Sequence, residues 1–112
     1  MAAVANLTLD QGANFSSDVT VKDANAAAFN LTGYTARAKM AKGYSSTRTR
    51  TEFTCTIGDA TSGKVSLTLT AAQTAALDDG RYVYDLEIVQ TGTGNVTRVI
   101  EGIINVRPNV TT

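Results

Sequence analysis

Apolar side chains recur at every second position in one short segment after another. In residues 81–90, Tyr82, Tyr84, Leu86 and Ile88 share one face while Arg81, Val83, Asp85 and Glu87 share the other. A period of two is the geometry of a β-strand with one buried side, and a helix cannot present it to a core. The same alternation puts Leu7 with Leu9, and Phe15 with Ser17, Val19 and Val21. It sets Ala36, Ala38 and Met40 against Arg37 and Lys39, and Phe53, Cys55 and Ile57 against Glu52, Thr54 and Thr56. Val65, Leu67 and Leu69 alternate with Lys64, Ser66 and Thr68. A last run holds Val96, Arg98, Ile100, Gly102, Ile104 and Val106 in one phase, with Gly102 marking a bulge or a close backbone approach. Ser and Thr at many intervening positions suit a pleated sheet whose outer face meets water.

Turn-forming stretches separate these runs. DQGAN, GDATSG and TGTGN read as tight connections, KDANAAAFNLTG as a loop leading into a strand, and KGYSSTRTR as a long or protruding hairpin loop. In TAAQTAAL, Thr70 stands three residues before Gln73, the spacing of a capping box that opens a short helix ended by Asp78, Asp79 and Gly80. About seven strands at hairpin spacing with one short helix predict an all-β, immunoglobulin-like antiparallel β-sandwich, with a small barrel as the structural rival. At 112 residues the chain is expected to form a single domain over 1–112, with its core in 4–106 and a short tail at 107–112.

Composition narrows the chemistry. Histidine is absent and Cys55 is the one cysteine, which removes Ser-His-Asp and Cys-His catalysis, intramolecular disulfides and zinc sites built on Cys and His spacing. Cys55, in phase with Phe53 and Ile57, reads as a small core residue. Ten basic and ten acidic residues balance at a formal charge of +0, so neither nucleic acid nor an anionic membrane is an expected partner. The start MAAVANLTLDQG has no basic segment followed by an apolar run, and no stretch approaches the ~18 apolar residues of a membrane helix. The chain is therefore expected to be soluble and made in the cytoplasm.

The remaining candidate signals are few. Asp78 with Asp79 and Asp85 with Glu87 are tight carboxylate pairs, read as a helix end and a solvent-facing strand because neither has the ligand count of a calcium loop. The glycines of TGTGN lie between strands, whereas a phosphate cradle needs them to open a helix. Five Asn-x-Ser/Thr stretches, at Asn6, Asn14, Asn30, Asn95 and Asn109, belong to strand and turn composition. Tyr44, Arg48 and Arg50, in a Ser- and Thr-rich loop, form the candidate partner contact. No catalytic residue, cofactor or metal site is expected.

The phrases LDQGANFSSDVTV, FNLTGYTARAKM, GKVSLTLTAAQTAAL and GRYVYDLEIV resemble the small immunoglobulin-like domain of bacteriophage tail and baseplate proteins, including the amino-terminal domain of upper baseplate subunits. Asp10 and Gly12, residues 30–34, 63–67, 70–73 and 80–85 fill the places of that pattern. The resemblance implies a noncatalytic virion structural protein, assembled in the host cytoplasm, that binds other phage structural proteins as a tail or baseplate adaptor within a homo-oligomer or symmetric assembly. A capsid head decoration or cement protein is the first alternative. A small carbohydrate-binding module, using Tyr34 or Tyr44, is the second.

Overall fold

A computed structural model describes residues 3–22, 27–43 and 49–110. These residues are mostly β-strand: β1 (Ala3–Val4), β2 (Leu7–Asp10), β3 (Phe15–Thr20), β4 (Tyr34–Ala41), β5 (Thr51–Glu52), β6 (Thr54–Asp59), β7 (Lys64–Leu69), β8 (Gly80–Gln90) and β9 (Val96–Arg107), with one helix, α1 (Ala71–Ala75), between β7 and β8. The strands form a larger sheet in the order β1-β9-β8-β4-β5, with β2 also on β9, and a smaller sheet in the order β3-β7-β6. The arrangement is consistent with an immunoglobulin-like β-sandwich.

Two features raise the segment count above the sequence expectation. The first apolar run breaks at Ala5 and Asn6 into β1 and β2. The run through Phe53 splits because β5 pairs with β4 in the larger sheet while β6 pairs with β7 in the smaller one. Phe53 sits at the handover, buried, with its N–H donating to the Ala38 carbonyl at 3.0 Å.

The larger sheet also corrects the expectation of a purely antiparallel sandwich. β1 and β2 run parallel to β9, with Leu7 opposite Ile104 and Leu9 opposite Val106. Strands from opposite ends of the chain need no hairpin between them, so the antiparallel rule that follows from short turns does not bind them. All other pairings are antiparallel, including β4 on β8 and β8 on β9.

The core lies between the sheets. Leu86, Ile88, Ile104 and Met40 from the larger sheet meet Val65, Leu67 and Val19 from the smaller one. Tyr82, Tyr84, Leu86 and Ile88 all face inward, as their alternation predicts. Rings bridge the layers: Phe53 lies 5.9 Å from Phe15 and 6.4 Å from Tyr84, centroid to centroid, in tilted and edge-on geometries that aromatic pairs favour.

The single phase expected for β9 does not hold along its length. The register shifts opposite Leu86 and Glu87, leaving Val99 as an extra residue, so Arg98 pairs with Glu87 on the outer face while Ile100 pairs with Leu86 on the inner one. Val96 and Arg98 consequently leave the core face and stand exposed. Gly102 instead marks a close approach, because a Cβ there would run into the Ala5 carbonyl oxygen.

The capping box forms as its spacing implies. Thr70 Oγ1 accepts the Gln73 N–H at 3.2 Å and Gln73 Oε1 accepts the Thr70 N–H at 2.8 Å. The short helix is tied to the β2–β3 turn: Asn14 Oδ1 accepts the Ala71 N–H at 2.8 Å, and the buried Thr74 hydroxyl donates to the Ala13 carbonyl at 2.8 Å.

Candidate interaction face

The two outer faces of the molecule differ in chemistry. Outward positions of the smaller sheet carry mainly hydroxyls, which the registers arrange in rows: Ser16 beside Thr68 beside Thr54, and Asp18 beside Ser66 beside Thr56. Ser66 Oγ donates to Asp18 Oδ1 at 2.6 Å, which satisfies that carboxylate within the face.

Charge is concentrated on the larger sheet. The outward side chains of β4, Arg37 and Lys39, stand opposite Glu87 and Asp85 of β8, and Lys39 also stands opposite Glu52 of β5. Arg37 Nε donates to Glu87 Oε1 at 2.8 Å. Arg98 on β9 reaches Asp85 at 3.3 Å and Glu101 at 3.6 Å. Burial pushes the Asp85 carboxyl above the usual carboxylate range, with the Arg98 charge acting against that rise. Arg37–Glu87 and Arg98–Asp85 join neighbouring strands at the spacing where opposite charges attract, Arg98–Glu101 lies within β9, and pairs this exposed contribute little to folding.

A concavity of about 390 Å³ opens on this face. Arg37, Lys39, Arg50, Glu52, Asp85 and Glu87 supply its charged lining, and Val83 an apolar wall. Lys39 forms no ion pair with any other described residue.

Of the three sequence-derived contact residues, Arg50 lies on this concavity, exposed, and its charge acts on Asp85. Tyr44 and Arg48 lie outside the described residues. Alternation had put Arg37, Lys39, Asp85 and Glu87 outward without bringing them together. Their neighbourhood depends on β4 pairing with β8 across a long stretch of intervening chain, which no local pattern encodes.

Other candidates resolve into structural roles. Asp78 offers its backbone carbonyl to the Tyr82 hydroxyl at 2.9 Å, and the Asp79 carbonyl accepts from Lys42 Nζ at 2.9 Å, so this pair closes the α1–β8 turn. Cys55 is half-buried against the core, and burial pushes its thiol up to about 11. Tyr34 is also half-buried against the core, its ring and that of Phe29 meeting edge-on at 5.4 Å. Among the described residues no group of three or more His, Cys, Asp or Glu side chains is placed to hold a metal ion, and no helix is long and apolar enough to cross a membrane.

No family model matches the sequence, and no curated protein matches it. Among solved structures, the N-terminal domain of phage TP901-1 ORF48 aligns with a TM-score of 0.59 at 12% identity, covering 92% of this chain and 85% of that one. At that identity the likeness speaks to the fold alone. The Lin-41 filamin domain aligns at a TM-score of 0.45 and 18% identity over 89% of this chain and 82% of that one. A family 123 glycoside hydrolase from Clostridium perfringens aligns at 0.42 and 10% identity over 97% of this chain but 24% of the enzyme. Both scores fall below the level at which a shared fold follows.

Proposed function

We propose that this chain is a noncatalytic structural module of a bacteriophage virion, an immunoglobulin-like sandwich that joins other virion proteins at the tail or baseplate. The observation that carries this reading is the fold likeness to the N-terminal domain of phage TP901-1 ORF48 across most of both chains. The surface chemistry supports it. A sheet face with interspersed charges of both signs and an open concavity suits contact with a complementary protein surface, where charge fixes register and partner choice more than raw affinity.

In this reading the contact face is the outer side of β4 and β8, with Arg50 at its rim and Tyr44 and Arg48 beside it in sequence. A symmetric assembly would multiply modest contacts through avidity. The protein is made in the host cytoplasm and ends in the particle.

The test is cryo-electron microscopy of particles containing this protein, with its density located directly. Density at the tail tip or baseplate supports the adaptor reading and identifies the partner face. Density on the shell replaces it with capsid decoration, and absence from purified particles overturns a virion role. Replacing both Arg48 and Arg50 with Ala is expected to reduce incorporation, and unchanged incorporation would remove them from the contact.

A further inference from the structure

We propose that this fold bears tension along its strands, and that the pairing of β1 and β2 with β9 is the clamp that resists it. The reading rests on topology and is independent of where the protein assembles. β1 and β2 run parallel to β9, from Ala3 opposite Ile100 to Asp10 opposite Arg107. Force that draws residue 3 one way and residue 110 the other therefore slides β1 and β2 along β9. Sliding loads every rung of the ladder at once, whereas pulling both strands from the same end breaks the rungs one after another. The first geometry needs many bonds to fail together, and forced unfolding is governed by that barrier.

Local chemistry keeps the ladder continuous where the strands break. Between β1 and β2 the Ala5 N–H donates to the Glu101 carbonyl at 2.9 Å. Asn6 Oδ1 then accepts the Ile103 N–H at 3.0 Å, a side chain standing in for a missing strand carbonyl. The Tyr84 hydroxyl donates to the Ala5 carbonyl, and the bare Cα of Gly102 lets that carbonyl come close. Past β2 the Gln11 N–H donates to the Arg107 carbonyl at 3.0 Å, and Arg107 Nε donates to Asp10 Oδ1 at 2.8 Å. Sliding must also drag Leu9 past Ile104, both fully buried.

Single-molecule force spectroscopy tests this directly. Handles fused at the two ends of the chain shear the clamp, and handles at the N-terminal end and at Gly92, in the turn before β9, peel it from one end. At equal pulling speed the shear geometry is expected to rupture at a force at least about twofold higher. Equal forces in the two geometries would overturn the proposal. Asn6→Ala, and as a second variant the exposed Arg107→Gln, are expected to lower the shear force while leaving the peeling force nearly unchanged. Thr54→Ala, on β6 away from the clamp, should lower neither. A loss common to both geometries in the clamp variants would mean general destabilisation and would also overturn the clamp assignment.

Discussion

Gly102 lacks a side chain at a point of β9 where the backbone of Ala5, between β1 and β2, occupies the space a Cβ needs. Gly102→Ala should therefore displace Ala5 and lower stability by about 1–3 kcal/mol, read as a shift in the urea midpoint. Asparagine works in a related way at the connections. The side-chain oxygens of Asn6, Asn14 and Asn30 accept backbone N–H groups of Ile103, Ala71 and Thr32, so these Asn-x-Ser/Thr stretches have a structural use of their own. Burial raises Tyr82 as well as Asp85, and acts most strongly on two further groups. It raises the Cys55 thiol from 9.0 to about 11 and the Tyr84 phenol from 10.0 to about 12. Both groups fold in their neutral forms, so their contribution is complete below the unfolded values and is lost as pH rises through the folded ones. Stability should thus be insensitive to these groups near neutrality and fall between about pH 9 and pH 12, with Cys55→Ala and Tyr84→Phe each flattening part of that fall in urea titrations across pH. At neutral pH the thiol should react with a disulfide reagent more slowly in the folded protein than in urea.

Among the elements, α1 depends most on a single side chain. It has only five residues, too few for helix propensity to sustain alone, and its N-terminus is closed by Thr70 and Gln73. Thr70→Ala is expected to cost about 1 kcal/mol in thermal or urea unfolding, because it opens the capping box that sets the path from β7 to β8. This box was legible in the sequence, as were the inward phases of β4, β6, β7 and β8, because each depends on residues a few positions apart. The bulge at Val99 was not, since Val96, Arg98 and Ile100 keep an unbroken alternation and only the partner strand reveals the extra residue. The handover at Phe53 was hidden for a similar reason: Phe53 keeps its phase while its neighbours change sheets. The parallel placement of β1 and β2 against β9 joins opposite ends of the chain and leaves no local mark. For the interaction face, alternation showed that Arg37, Lys39, Asp85 and Glu87 point outward, and only the pairing of β4 with β8 made them one surface. Arg50 was singled out from its loop, and its place beside Asp85 came from the fold.

At the scale of the molecule, the two outer faces should answer differently to the same perturbation. Lys39→Glu puts a third carboxylate between Asp85 and Glu52, and is expected to weaken partner binding about tenfold, equal to about 1.4 kcal/mol, in a salt-dependent manner. Thr56→Glu, on the hydroxyl face, should leave that binding unchanged. Melting temperatures of both variants, measured alongside a quantitative pull-down or particle incorporation, separate loss of contact from loss of fold. Binding lost equally in both variants would count against a partner face on β4 and β8. The sheets themselves are joined along both flanks. Chain passes from β2 to β3 on one side, and from β5 to β6 through Phe53 on the other. Tied by covalent chain at both flanks, neither layer can lift away from the other without dragging on one of these crossings. Amide exchange in the interior should accordingly proceed as one cooperative opening, with no stage in which the smaller sheet exchanges while the larger remains protected.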